Sequence, residues 1–293
     1  RSPFYQLLVL IQASIDRKDV DQASAYLDMA KKIDSQHTLI EGYEMTINYV
    51  KAVKAVQQRK FDEARELIAP VLVAQPDNMR VLAFLVELEL SAGKLSEAAK
   101  VLKQIEALNS SNPIVVLLKG ELALKNKDLE GARKQFEKVW VSSPSEVAGE
   151  KLFKILGMLK QKSAQDEHLE DWVTKFPNNP PAVLFQAVND QQKGERSKAV
   201  TGYEKVLKVA PNSVMALNNL GWIYFEKGDD AALKLLKKAA DLAPESAAVL
   251  DSYGWVLAKS GQVDEGLVYL EKANQLSPET QEIADHLATA KKM

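Results

Sequence analysis

Residues 214–246 read VMALNNLGWIYFEKGDDAALKLLKKAADLAPES, and residues 247–280 read AAVLDSYGWVLAKSGQVDEGLVYLEKANQLSPET. The two stretches share a Gly-Trp pair in the first half, a glycine near the middle and a proline close to the end. In each half, apolar residues recur at three- and four-residue spacing, which predicts two amphipathic helices joined by a short turn. A helical hairpin of this length, repeated along the chain, decides the fold class.

Prolines mark the same unit over most of the sequence. They stand at Pro76, Pro144, Pro177, Pro211, Pro244 and Pro278. Successive gaps are 33 or 34 residues, except the first, which is 68 and spans two units. Ser110 stands in the place of the missing proline. Twelve residues before each of these markers, a small residue stands where two helices would touch: Ala64, Ala98, Ala132, Ala199, Ala232 and Gly266. The exception is Gln165. A recurring length of 34 residues is typical of a solenoid of helical hairpins.

The period divides the chain into about eight repeats. They run over residues 4–37, 45–78, 79–112, 113–145, 146–179, 180–213, 214–246 and 247–280, and a last helix occupies residues 281–293. Extra residues at 38–44 contain no helix breaker except Gly42, so we expect a lengthened first helix in the second repeat. The fifth repeat has the weakest pattern. We predict a single solenoid over residues 1–293.

Two segments carry a family resemblance. Residues 217–224 (LNNLGWIY) and 249–257 (VLDSYGWVL) resemble the first helix of the tetratricopeptide repeat, and residues 232–239 (ALKLLKKA) resemble its second helix. The resemblance covers essentially the whole chain. It implies an all-α fold, a right-handed superhelical solenoid of antiparallel helix pairs, and a scaffold that binds partner proteins or peptides.

The resemblance also implies that the first helix of each repeat lines a concave groove. The candidate partner-binding residues are Tyr49, Val53, Glu87, Leu90, Leu184, Asn218, Asn219, Trp222, Phe225, Asp251, Trp255 and Lys259. Because an amide both donates and accepts hydrogen bonds, Asn218 and Asn219 are suited to clasp a peptide backbone. Trp222 and Trp255 share one repeat position, so we expect them to stack as neighbours. They would serve either as binding anchors or as a cover for the seam between helices.

A narrower resemblance rests on the turn from Gly228 to Leu233, which is one residue shorter than usual, and on the sequence after it. This region resembles the C-terminal part of the large bacterial tetratricopeptide lipoproteins that accompany exosortase (PEP-CTERM) sorting and exopolysaccharide export, the PrsT-like proteins. It is also similar to generic tetratricopeptide lipoproteins of Gram-negative bacteria. These families imply a periplasmic, lipoprotein-anchored scaffold. Since the chain opens with Arg1, we expect any membrane tether upstream; a cytoplasmic location is the alternative.

Composition offers little for catalysis or nucleic-acid binding. The chain has 38 basic and 40 acidic residues, interspersed, and no cysteine, which excludes thiolate chemistry. His37, His168 and His286 lie in different repeats, so they cannot meet, and we expect them at exposed or edge positions. We therefore predict a protein that is not an enzyme, with no catalytic residue, cofactor or metal ion. Its partner would be a protein or peptide, with polysaccharide as the alternative ligand.

Overall fold

The computed structural model describes residues 2–293, and every regular element in that range is an α-helix. The chain divides into two compact units, residues 1–160 and residues 161–293. No helix within residues 2–293 has both the length and the apolar character needed to cross a membrane. The all-α fold of helical hairpins predicted from the sequence is confirmed within residues 2–293, whereas one continuous solenoid over residues 1–293 stays a prediction.

Unit 1 (residues 1–160) holds four helical hairpins and the first helix of a fifth. Its helices are α1 (Pro3–Asp16), α2 (Val20–Ile33), α3 (Thr38–Gln57), α4 (Phe61–Ala74), α5 (Met79–Ser91), α6 (Leu95–Leu108), α7 (Pro113–Lys125), α8 (Leu129–Ser142) and α9 (Glu146–Met158). The two helices of each hairpin pack together, and the second also packs on the first helix of the next hairpin. Helix α3 is 20 residues long, which confirms the predicted lengthening.

Unit 2 (residues 161–293) begins with the second helix of the fifth repeat. Its helices are α10 (Lys162–Lys175), α11 (Pro180–Gln192), α12 (Arg196–Val209), α13 (Val214–Glu226), α14 (Ala231–Leu242), α15 (Ala247–Lys259), α16 (Val263–Leu276) and α17 (Gln281–Ala290). Helix α17 packs on both α15 and α16 and ends the helical stack of this unit.

Asparagine side chains fix the starts of several first helices. The Oδ1 atoms of Asn78, Asn112 and Asn179 accept hydrogen bonds from backbone N–H groups of the first turn, at 3.0, 2.9 and 3.0 Å. These bonds satisfy amide groups that have no partner inside the helix. Pro113 and Pro180 follow two of these asparagines, where a missing N–H group costs nothing.

Small residues form the seam inside most hairpins, as the sequence predicts. Ala52, Ala64, Ala98, Ala132, Ala187 and Ala199 are at most 1% exposed. The closest approach joins α15 and α16: a Cβ atom added to Gly254 would lie 2.8 Å from the carbonyl oxygen of Gly266. Close backbone approach of this kind leaves no room for a larger side chain.

A residue with positive φ ends the first helix of every hairpin. Gly93, Gly194, Gly228 and Gly261 have φ between 71° and 87°, and Lys18, Arg59, Lys127 and Lys160 have φ between 57° and 62°. A side chain in this conformation costs about 1–2 kcal/mol, so glycine is favoured there. Lys18, Arg59 and Lys127 adopt it because the two helices that flank each of them pack together and require the turn.

Candidate functional site

Unit 1 contains an open concave groove of about 800 Å³ between its first helices α3, α5, α7 and α9. We call it the unit-1 groove. Its lining consists of Tyr49, Met79, Arg80, Ala83, Phe84, Glu87, Leu90, Ser91, Ile114, Leu117, Leu118, Glu121, Lys125, Val147 and Lys151. Three candidate residues, Tyr49, Glu87 and Leu90, therefore share one surface.

Aromatic rings and a guanidinium group form one wall of the unit-1 groove. The ring of Tyr49 lies 5.3 Å from that of Phe84, with 57° between the ring planes. The guanidinium carbon of Arg80 stands 5.0 Å from the centre of the Tyr49 ring, within cation–π range. Tyrosine and arginine, together with tryptophan, are enriched among the energetic anchors of protein interfaces.

Charges of both signs lie along the same groove. Lys151 pairs with Glu121 across α9 and α7. The pKa of Glu87 is raised above its ordinary value, chiefly because the groove walls remove water from the carboxylate; Lys151 opposes this shift and Glu121 adds to it. Lys125 is exposed at the edge. The groove thus offers a partly desolvated carboxylate on an exposed side chain, Glu87, and an exposed cation, Lys125, at its edge.

Lys151 was not among the candidates from the sequence, because the fifth repeat has a weak pattern. Lys151 stands 34 residues, one repeat length, after Leu117, which also lines the groove. That spacing could have identified Lys151 as a lining residue. Val53, by contrast, does not line the groove. It is half-buried against the apolar cluster formed by α3, α4 and α5. Val53 therefore contributes to the apolar packing of unit 1.

In unit 2, Asn218 and Asn219 begin a chain of hydrogen bonds. Asn218 Nδ2 donates to Asn219 Oδ1 at 3.5 Å, and Asn219 Nδ2 donates to the Tyr203 hydroxyl at 3.1 Å. The Tyr203 hydroxyl donates to Gln191 Oε1 at 2.7 Å. Burial is the main reason that the pKa of Tyr203 is raised. Within residues 2–293 the buried Oδ1 atom of Asn218 has no hydrogen-bond partner.

The remaining apolar candidates of unit 2 are half-buried. Leu184 packs beside the cluster of α11, α12 and α13. Trp222 and Phe225 lie 5.9 Å apart and pack against the cluster of α13, α14 and α15. Trp222 therefore covers the seam between neighbouring hairpins, one of the two roles expected for it.

Helix α17 occupies the surface around Asp251 and Trp255. His286 of α17 stacks on the Trp255 ring at 4.2 Å with 15° between the planes, and its Nδ1 atom lies 2.8 Å from Asp251 Oδ2. The ammonium of Lys259 stands 4.6 Å from the centre of the same indole ring. The expected stacking of Trp222 on Trp255 is wrong, because each indole packs on a different neighbour.

The histidines also differ from expectation. His168 is buried beside Trp172, with their ring centres 6.1 Å apart, so the expectation that it is exposed or at an edge is wrong. His286 is mostly covered as well. Residues 2–293 contain no group of three or more His, Cys, Asp or Glu placed to hold a metal ion.

Comparison with known proteins gives matches along most of the chain. Sequence profiles of the tetratricopeptide repeat family match residues 49–113, 85–146 and 148–283. The chain is 33% identical over 87 residues to the β-barrel assembly-enhancing protease of Escherichia coli strain K12. The matched residues make up 30% of this chain and 17% of that protein. The protein of the same name from Yersinia pestis is 24% identical over 106 residues, covering 36% and 22% of the two chains. The chain thus matches about a fifth of the length of these curated relatives.

A solved structure supports the same fold. A chain in the crystal structure of the APC/C hetero-tetramer Cut9–Hcn1 has a TM-score of 0.64 and 15% sequence identity, over 97% of this chain and 55% of that one. At this identity the likeness concerns the fold. Together with the profile matches, it shows that the chain belongs to the tetratricopeptide repeat family, whose members are generally non-enzymatic scaffolds for protein–protein interaction.

Proposed function

We propose that this protein is a non-enzymatic scaffold and that the unit-1 groove holds a segment of a partner protein. The observation that carries the proposal is the groove itself: an open concavity of about 800 Å³ with an apolar floor, an aromatic–arginine wall and charges of both signs. Apolar surface with a few fixed polar groups is the usual composition of a peptide-binding groove.

The lining specifies the chemistry of the partner segment. Leu90, Leu117 and Ala83 accept apolar side chains, which favours an amphipathic helix or an alternating extended strand. A basic side chain placed near Glu87 would relieve the desolvation that raises the pKa of its carboxyl group. An acidic side chain would pair with Lys125. The favoured partner is therefore an amphipathic segment with charges of both signs.

In unit 2, Asn218 supplies a second contact in this proposal. Because the Oδ1 atom of Asn218 is buried and lacks a partner, the amide group would rotate to meet a backbone N–H group of a bound segment. The cost of a buried unpaired acceptor, about 1–3 kcal/mol, would then be recovered on binding. Asn219, already bonded to Tyr203, would hold Asn218 in position. Phe225 and Leu184 would add apolar contact, while Lys259 would supply a cation at the exposed end of α15.

For the cellular setting we propose an assembly in the bacterial envelope linked to exopolysaccharide export or protein sorting, with the chain in the periplasm and anchored as a lipoprotein. The support is the resemblance of residues 214–280 to envelope lipoproteins, and the similarity of part of the chain to proteins named for β-barrel assembly. Fractionation of cells that express the full reading frame tests it. Recovery in the cytoplasm contradicts this setting.

Polysaccharide binding is the alternative, and it depends on indole faces that are free to stack on sugars. His286 already covers one face of Trp255, and Trp222 packs on Phe225. Both contacts favour a protein partner. Addition of the exported polysaccharide should therefore leave the tryptophan fluorescence unchanged, and saturable quenching would favour the alternative.

A photo-crosslinking experiment tests the groove directly. Benzoylphenylalanine is placed at Glu87 in the groove or, as control, at Lys103 on the exposed side of α6. Irradiation of living cells should give a crosslinked partner from position 87 and not from position 103. The same partner should bind a Lys125→Glu variant about tenfold more weakly, while Lys103→Glu leaves binding unchanged. Equal crosslinking at both positions, or equal loss from both charge reversals, would contradict the groove proposal.

A further inference from the structure

A narrow slot opens in unit 2 between the start of α11 and the end of α12. Its volume is about 100 Å³, and it is lined by Asn178, Pro180, Val183, Lys205, Val206 and Val209. We call it the α12 slot. An apolar cavity of about 150 Å³ holds one benzene molecule. The smaller α12 slot therefore matches one aliphatic side chain better than an aromatic ring.

Two valines leave the α12 slot open to solvent. Three other hairpins carry leucine at both of the positions that Val183 and Val209 occupy: Leu82 and Leu108 in α5–α6, Leu217 and Leu242 in α13–α14, and Leu250 and Leu276 in α15–α16. Val209 is 65% exposed, whereas its three counterparts are 39–44% exposed. Val183 is 8% exposed and its counterparts are 2% exposed. A leucine reaches one carbon further than a valine, so the shorter pair leaves the end of this hairpin unfilled.

The mouth of the α12 slot is basic. The Lys205 ammonium donates a hydrogen bond to the carbonyl oxygen of Pro177 at 2.7 Å, which fixes its position without neutralising its charge. Lys208 is exposed three residues further along the same helix face, and neither lysine has an ion pair within residues 2–293. Glu204, the one carboxylate of α12, accepts a hydrogen bond from the Tyr224 hydroxyl at 2.7 Å. A ligand with carboxylates beside its aliphatic group is therefore favoured.

Helix α16 of the same unit presents an aliphatic side chain where most second helices present a polar one. Val268, its sixth residue, is 66% exposed. The sixth residue of α4, α6, α8, α10 and α12 is charged or polar: Glu66, Lys100, Lys134, Glu167 and Thr201. A valine gains nothing from water at this outward position, so its exposure is explained if another surface covers it.

Carboxylates accompany Val268 on the same face of α16. Asp264 and Glu265 lie one turn before it, and residues three or four apart are neighbours on a helix surface. Both carboxylates are exposed and have no ion pair in the part of the chain that the structure describes. The face of α16 thus combines one exposed aliphatic side chain with two unpaired negative charges, which is the complement of the α12 slot and its basic mouth.

We infer that α16 of one copy of this chain docks on the α12 slot of a second copy. Val268 enters the slot, while Asp264 and Glu265 pair with Lys205 and Lys208 at its mouth. Because the two surfaces differ, the contact is heterologous, and copies joined through it form an open chain or a ring. Exposed ion pairs contribute little and are screened by salt, so the association is weak and salt-dependent. It leaves the unit-1 groove free for its own partner.

Disulfide trapping tests the contact, because the native chain has no cysteine. One chain carries Val209→Cys and a second chain, with an affinity tag that changes its size, carries Val268→Cys. A disulfide forms only where the two Cα atoms come within about 7 Å. In the control mixture Val141→Cys, at a position that is 82% exposed on α8, replaces Val209→Cys. Yields are normalised to the reaction of each thiol with a neutral maleimide.

The mixed disulfide between positions 209 and 268 should form at least ~5-fold faster than the one between positions 141 and 268, and its yield should fall as salt is added. Equal rates for the two mixtures overturn the proposal. Pairing of position 209 with itself faster than with position 268 also overturns it, since the contact is then two-fold.

Exchange of the charges separates this contact from random collision. Lys205→Glu with Lys208→Glu, in the chain that carries Val209→Cys, should lower the yield at least ~5-fold, because two attractive pairs become repulsive. Asp264→Lys with Glu265→Lys in the other chain should then restore it. Lys103→Glu with Lys134→Glu, which makes the same change of net charge on exposed positions of unit 1, should leave the yield unchanged. A loss that the exchanged chain does not restore, or an equal loss from the control pair, overturns the proposal.

Discussion

Asp251 and Glu89 are both buried carboxylates, yet their surroundings differ. Glu89 receives two hydrogen bonds from Arg65, each of 2.8 Å, so both of its oxygens are paired. Asp251 pairs with His286 through Oδ2, while its buried Oδ1 atom has no partner within residues 2–293. A carboxylate that loses water without full compensation is expensive to keep charged. Asp251 should therefore limit the stability of the contact between α15 and α17.

The pH dependence of this contact follows from the pKa of Asp251. Burial raises that pKa, and His286 opposes the shift. Because the folded state holds the proton more tightly, its stability is greatest below the ordinary carboxyl pKa and falls as the pH rises through the folded value. Asp251→Asn should therefore weaken this decrease and leave α17 at least as well protected at neutral pH. Hydrogen exchange of the α17 amides, compared between the native chain and Asp251→Asn from acid to neutral pH, measures this protection.

The control for this prediction is Asp285→Asn, on the exposed side of α17. It removes a carboxylate of α17 without touching the buried pair, so the pH profile should stay as in the native chain. Faster exchange of α17 in Asp251→Asn at neutral pH would show instead that the charged pair with His286 holds the helix in place.

At the scale of helices, the sequence predicts the features that a local pattern determines, namely the helices and their pairing into hairpins. The prolines and the small seam residues give the helix pairs, because each feature is a requirement of one hairpin. The turns at Lys18 and Arg59 lack the glycine signal, since packing imposes their conformation. The contact of His286 with Asp251, 35 residues apart, was not predicted. It depends on α17, which lies after the last repeat, and the same contact fills a surface that the sequence assigned to a partner.

The seam between α15 and α16 gives a prediction with an internal control. A Cβ atom at position 254 would meet the carbonyl oxygen of Gly266 and the Leu270 side chain at 3.0 Å or less. Since the backbone cannot yield cheaply, Gly254→Ala should destabilise unit 2 by about 1–3 kcal/mol. Gly42→Ala in α3, where nothing lies within 4 Å, should stabilise its helix by about 0.5–1 kcal/mol.

Chemical denaturation of the two variants, followed by far-UV circular dichroism, compares these effects. If Gly254→Ala lowers the free energy of unfolding while Gly42→Ala raises it, glycine is required at position 254 because α15 and α16 lie so close together. A loss of stability in Gly42→Ala equal to that in Gly254→Ala would mean that the spacing of α15 and α16 is not the reason for Gly254.

At the scale of the whole molecule, each unit contains its own apolar clusters. Unit 1 has clusters in α1–α3, in α3–α5 and in α5–α7. Unit 2 has them in α11–α13 and from α13 to α17. Contacts of this kind join neighbours in the sequence, so stability in a repeat protein is close to a sum of local terms. The position of a break in the chain therefore decides how much stability is lost.

Two pairs of fragments test this. Separation after Lys160, at the boundary of the units, should leave residues 1–160 and 161–293 folded, each with the helix content it has in the intact chain. Separation after Ser246 divides the cluster that joins Leu236 and Ala239 of α14 to Val249 and Tyr253 of α15. The fragments from this second break should melt at least ~5 °C lower than those from the first, because they expose apolar surface that the intact unit buries. Far-UV circular dichroism during heating measures both pairs. If the break after Lys160 unfolds either fragment while the break after Ser246 does not, residues 1–293 behave as one solenoid whose stability depends on the fifth repeat.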